Sequence, residues 1–127
     1  MTTTNLVLLS DVTDGVPLGN YDGSSLDWYS DAQRAVNYYR GQGHIQTITF
    51  GLTDFSGVIK IEATLEPQPP SGTQGWFEVA EYGDGSSVYP SGATDYRPIS
   101  VEGKFTWVRA RVLNFVGGTI DLVDISY

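Results

Sequence analysis

The residues able to do chemistry are few in this chain, and their spacing argues against most of it. His44 is the single histidine and cysteine is absent, so a zinc site, which needs several nitrogen or sulfur ligands, has too few donors. A Ser–His–Asp triad would need a presented nucleophile, and no G-x-S-x-G elbow occurs. His44 therefore reads as a strand-end residue with one local hydrogen bond. Glu62 and Glu78 fall on neighbouring predicted strands, as the two carboxylates of a glycoside hydrolase would. An outward carboxylate on a strand, however, is usually just solvated. Asp11, Asp14, Asp22 and Asp27 are the oxygen-rich candidates for calcium, with Asp84 and Asp95 next, but none follows an EF-hand pattern. Six of the 15 acidic residues, Asp11, Asp14, Asp22, Asp31, Asp84 and Glu102, stand beside Gly or Ser, where carboxylates close Asx-type turns. The expectation is a protein that is not an enzyme and holds no cofactor.

Aromatic residues carry the richer signal. Trp28, Tyr29, Tyr38, Tyr39, Trp76, Tyr82, Tyr89, Tyr96 and Trp107 exceed what a small core must contain. Such rings either pack two sheets, stack on a sugar face or anchor a protein interface. Tyr21, Trp28, Tyr29, Tyr89 and Tyr96 lie in or beside loop-like segments and are the surface candidates. Arg109 and Arg111 alternate with Phe105 and Trp107 on one parity, where guanidinium planes can stack on rings and offer forked donors.

The elements that must position these groups read as strands. Val108, Ala110 and Val112 alternate with that aromatic–arginine row over Phe105–Leu113. A second strand, Thr119–Tyr127, follows a turn centred on Gly117-Gly118, giving a hairpin that belongs inside a sheet. In it Ile120 and Leu122 share one parity while Val123 and Ile125 share the other. A bulge near Leu122-Val123, or cover on both faces, is implied. Upstream, Leu6–Leu9 reads as a first strand, and the chain is loop-like from Asp14 to Ser30, with Asp14-Gly15 and Asp22-Gly23 turns. Asp31–Arg40 admits a helix capped by Asp31 or a strand over Ala35–Arg40, and its weak amphipathic face favours the strand. His44–Leu52 is β-branched and strand-like, and Thr53–Gly57 turns the chain. Over Val58–Leu65, Ile59, Ile61, Ala63 and Leu65 point inward. Pro67, Pro69 and Pro70 end that strand. Trp76–Tyr82 follows, then a Gly/Ser/Pro-rich loop over Gly83–Thr94, then a short pairing segment at Tyr96–Val101. Seven to eight short strands with little helix make an all-β, single-domain β-sandwich, jelly-roll-like in connectivity.

With 127 residues, the chain suits one domain with its own core. A net charge of −8 argues against nucleic acid, whose binders carry a basic stripe, and against anionic lipid. It favours solubility instead. The absence of cysteine excludes disulfides. The N-terminal MTTTNLVLLSD lacks the basic region and long apolar run of a secretion signal, and no stretch reaches the ~20 apolar residues of a membrane span. Synthesis in a cytosol without export is expected.

Two motifs carry a resemblance: GWFEV after the proline-rich turn, and GKFTWVRARVLNFVGGTIDLVDISY at the C-terminus. They resemble a short β-sandwich domain of virion structural proteins of tailed phages, of the marine and cyanobacterial type. That pattern runs W-F, then F-x-W-[VI]-R-A-[KR]-V, then F-x-x-G-T-I, and closes on an aromatic. Here it falls on Trp76-Phe77, Phe105, Trp107–Val112, Phe115, Gly118–Ile120 and Tyr127. A more distant likeness is to galactose-binding-like jelly rolls, and the match spans roughly Ile45 to Tyr127. The resemblance implies a non-enzymatic part of a virion, a head decoration or cement protein or a tail or fibre component. It would be assembled in the host cytoplasm, with other virion proteins and further copies of itself as partners. Residues 1–30 precede the matched region and are expected to form an arm, with Leu6 and Leu8 docking on a neighbouring subunit. Residues 31–127 would then be the sandwich, able to fold without the arm. The alternative is a carbohydrate-binding module whose aromatic and acidic side chains take a host glycan.

Overall fold

The computed structural model describes residues 5–35, 45–82, 93–103 and 105–126. Its strands are β1 (Asn5–Thr13), β2 (Trp28–Tyr29), β3 (Gln33–Arg34), β4 (Ile45–Thr64), β5 (Phe77–Tyr82), β6 (Ala93–Glu102) and β7 (Trp107–Ser126). No helix occurs among the described residues, so the fold is all-β, as expected.

Two strands of 20 residues each, β4 and β7, form the spine. They pair antiparallel from Thr47 opposite Ser126 to Thr64 opposite Trp107, and the register shifts between Gly51 and Val58. Both strands bend there. Asp54 (φ 51°) and Asn114 (φ 52°) enter the left-handed region, and Gly118 has φ 85°. A Cβ on Gly118 would fall on the Asp54 carbonyl, so glycine is what lets the two backbones pass.

The bend divides one sheet into two layers. In the first layer, residues 45–52 pair with β6 and with 119–126, which in turn pair with β1. In the second, residues 58–64 pair with β5 and with 107–113, which also carry β2 and β3. When β4 and β7 are split at the bend and the short β2 and β3 are taken as one, there are eight segments in chain order. The first layer runs first, eighth, third, sixth; the second runs second, seventh, fourth, fifth. That is jelly-roll connectivity, built here from a single folded sheet.

Between the layers lies the core. Ile48, Phe50, Leu52, Ile120, Val123 and Ile125 meet Ile59, Ile61, Ala63, Val108, Ala110 and Val112, each at most 2 % exposed. Burying a large aliphatic side chain so fully contributes about 1.5–3 kcal/mol. Rings stitch the layers together: Phe50 and Tyr82 stand 5.7 Å apart, and Phe55 and Phe115 5.8 Å. The alternation expected over 58–63 and 107–112 is therefore the one that packs. Leu65, expected inward, lies just past β4 and is 61 % exposed.

Three expectations about connectivity are corrected. The Gly117-Gly118 step is no hairpin turn, because the two halves of β7 belong to different layers and each pairs with β4 rather than with the other. Thr53–Gly57 is likewise a corner inside one strand. The arm over residues 1–30 is not separate from a body over 31–127. Leu6 stands opposite Ile125 and Val12 opposite Ile120 in the sheet, while Leu8, Leu9, Val12, Tyr21 and Trp28 belong to the core cluster. The apolar run read as a docking segment is the sandwich's first strand. Residues 36–40 of the expected strand over Ala35–Arg40, His44 and most of the Gly83–Thr94 loop lie outside the described residues, and Ala35 itself is buried in the core cluster.

Candidate functional site

Of the expected aromatic–arginine row, Trp107, Arg109 and Arg111 share the outward face of the second layer, and that face is closed, whereas Phe105 belongs to the core cluster. Arg109 is 6 % exposed. Its guanidinium lies between two rings, 4.0 Å from the centroid of Tyr29 and 4.2 Å from that of Trp76. Its Nε donates to Glu62 Oε1 at 2.8 Å and one Nη to the Gly72 carbonyl at 2.8 Å. Arg111 reaches the other Glu62 oxygen at 3.6 Å and sits over Tyr29. The indole N–H groups of Trp76 and Trp107 donate to the Pro70 and Pro67 carbonyls. All of these groups hold the 66–76 segment and β2 against the sheet. Alternation put Trp107, Arg109 and Arg111 on one face as expected, and Tyr29, read only as a loop surface residue, joins them from β2 in a clamp rather than an open surface.

Glu62 and Glu78, the paired carboxylates, do stand opposite one another. Glu62 is committed to Arg109 and Arg111, and Glu78 to Lys60 at 3.1 Å.

Tyr21 and Trp28 are corrected from surface to core. Tyr21 is 1 % exposed and packs 5.2 Å from Trp28 and 5.1 Å from Phe115. Its hydroxyl donates to Asp14 Oδ1 and accepts from the Gly15 N–H, and burial raises its pKa above the usual phenol value. Trp28 is buried with its indole N–H unpartnered. Loop placement hid this burial, because the loop folds back over the end of the core. Leu8 is buried as well, and Leu6 packs partly against the core. Tyr89 lies outside the described residues. Tyr96 is 72 % exposed, so its surface reading stands.

The four aspartates proposed for calcium serve four separate local roles. Asp22 caps its own turn by accepting from the Ser24 and Ser25 N–H groups and the Ser25 hydroxyl. Those donors lower its pKa to about 2. Asp14 serves Tyr21, Asp27 accepts from the Asn114 N–H, and Asp11 occupies a positive-φ position in β1. Among the described residues no group of three or more His, Cys, Asp or Glu could hold a metal ion.

Sequence reasoning passed over the outward face of the first layer. Tyr96, Gly51 and Leu122 form one cross-strand row there, and Pro98, Thr49, Asp124 and Val7 form the next. Asp124 is 6 % exposed, its Oδ1 has no partner, and burial pushes its carboxyl above the ordinary value. The expected irregularity in this strand is real: Gly51 pairs with Leu122 and Leu52 with Ile120, which leaves Asp121 as the extra residue. An isolated glycine within HIQTITFGL was the available signal for a close approach of this kind.

Exposed apolar side chains concentrate at the two ends of the sandwich. At the bend end are Val16, Leu26 and Val116, between 50 and 60 % exposed, while Leu18 lines a groove with Leu8, Leu9 and Gln33 along the edge between β1 and β3. Leu26 and Val116 are linked through the Phe115 N–H to Leu26 carbonyl bond, and the Val16 segment through the Asp14 N–H to Gly118 carbonyl bond. At the opposite end are Ile45, Leu65 and Phe77, between 42 and 61 % exposed, with Phe77 edge-on to Phe105.

Comparison with protein-family models, with curated proteins and with solved structures finds no match to this chain.

Proposed function

We propose that this protein is a non-enzymatic virion structural protein of a tailed phage, a head decoration or cement protein or a tail or fibre component, working through protein–protein contacts. The observation that carries this reading is the gathering of exposed apolar side chains at the two ends. Apolar residues scattered singly over a surface are ordinary, whereas a group rimmed by polar residues marks a contact site. Of the nine large hydrophobics exposed among the described residues, Val7, Leu18 and Tyr96 lie elsewhere. The charge of −8 keeps free copies apart, so association depends on specific contacts at those ends. Two unlike ends suit a head-to-tail contact between copies, which closes into a ring where the rotation allows it. The likeness of the Trp76-Phe77 and Trp107–Val112 motifs to phage proteins supplies the setting, a virion assembled in host cytoplasm.

The test is the light-scattering mass of the purified chain, with mass spectrometry of purified particles. A multi-copy assembly is expected, reduced to monomer by the double change Leu26→Asp and Val116→Asp with an unaltered circular-dichroism spectrum. A chain that stays monomeric at high concentration and is missing from particles would overturn the reading.

A further inference from the structure

Gly51 sits in the middle of central strand β4, with Tyr96 of β6 on one side and Leu122 of β7 on the other. Glycine weakens a strand at such a position, and the backbone does not require it, since its φ is not positive. An added Cβ would lie 3.6 Å from Tyr96 Cδ2 and 3.7 Å from Leu122 Cβ, ordinary contact distances. What the missing side chain supplies is an open floor between a ring and an aliphatic residue.

The walls of this slot have their own chemistry. Tyr96 is 72 % exposed even though it leans toward Gly51. Asp121, the bulge residue, accepts from the Thr53 hydroxyl through Oδ2 at 2.6 Å. Together with Leu52, Thr94 and Asp95, these residues line an open groove of about 620 Å³.

We infer that this groove binds a neutral pyranose ring of a glycan. The apolar C–H face of the ring lies against Tyr96 and Leu122, and its hydroxyls donate to the Asp121 carboxylate. The class follows from what the other candidates would meet. An anionic sugar would face Asp121 and the overall negative charge, the Asp95 carboxylate being held by Arg97 at 2.9 Å. A purely apolar side chain would cover a carboxylate while offering it no donor. A quaternary ammonium needs a cage of rings, and among the described residues one ring lines this groove. The groove shares no residue with the two apolar ends, so this inference does not depend on the assembly reading.

The experiment is a titration of the full-length, nitrogen-15-labelled chain with the methyl glycosides of glucose, galactose, mannose and N-acetylglucosamine, and with methyl glucuronide. At least one neutral glycoside should move the amide signals of Gly51, Tyr96, Asp121 and Leu122 along one saturable curve, and the glucuronide should leave them still. Gly51→Val fills the floor and Tyr96→Ala removes the wall. Each should weaken binding roughly tenfold or more, by the size of a stacking contact, while the melting curve stays cooperative. The inference is overturned if no neutral glycoside moves those four signals, or if both variants bind as the wild type does. It is equally overturned if the signals move only with protein concentration, which would make the groove a contact between copies.

Discussion

The outward faces of the two layers solve opposite problems with similar residues. On the second layer, Glu62, Arg109 and two aromatic rings close on one another, and Arg109 is 6 % exposed. On the first, Asp124 is as deeply covered and lacks a partner at Oδ1, and Tyr96 stands in solvent. An aromatic next to a charged residue therefore has no fixed meaning. It becomes a clamp where Tyr29 and the 66–76 segment are there to be held, and among the described residues Tyr96 is left in solvent.

The largest effect that would break this comparison comes from the chain's start. Deleting residues 1–30 removes β1 and the Tyr21–Trp28 part of the core, and the product should be unfolded by near-ultraviolet circular dichroism. A cooperative melt of the truncated chain would restore the idea of a separate arm. Next is Arg109→Ala, which leaves Glu62 buried without its principal cation and should cost about 3–5 kcal/mol in urea unfolding. Asp124→Asn should do the reverse and raise the melting temperature at neutral pH, because it removes a carboxylate whose charged form is disfavoured. The folded pKa of Asp124 is raised, so its contribution to stability is greatest below the ordinary carboxylate pKa and falls as pH rises through the folded value. Asp22 behaves oppositely, since its folded pKa of about 2 makes it stabilising above the unfolded value and less so as pH falls toward 2. Acid titration of Asp124→Asn and Asp22→Asn against wild type separates these signs. The smallest effect belongs to Tyr96→Ser, which should change stability by less than about 1 kcal/mol because the ring is mostly solvated.

Much of the fold was readable in the chain. Alternation over 107–112 and 58–63 identified the inward residues, because a strand with one face on a core must repeat with period two. Parity switching near residue 122 implied either a bulge or cover on both faces, and the irregularity is a bulge at Asp121. The candidate site was less readable. Tyr21 and Trp28 sit among Asp, Gly and Ser, so local composition called them exposed, whereas their burial comes from Phe115, far away in the chain. The four aspartates looked like a set because they are close in sequence, yet each turns to a different local donor or position.

What the amino-acid order determined by itself was the local backbone: extended segments, their inward faces, their breaks, and a surface dominated by acid. These depend on φ/ψ preference and period, which neighbouring residues report. Only the tertiary structure decided that glycines 117 and 118 form a corner between layers instead of a hairpin, that Arg109 is enclosed, and that Gly51 opens a slot beside Tyr96. Each of those outcomes depends on a partner strand brought in from tens of residues away, and no local pattern records which strand that will be.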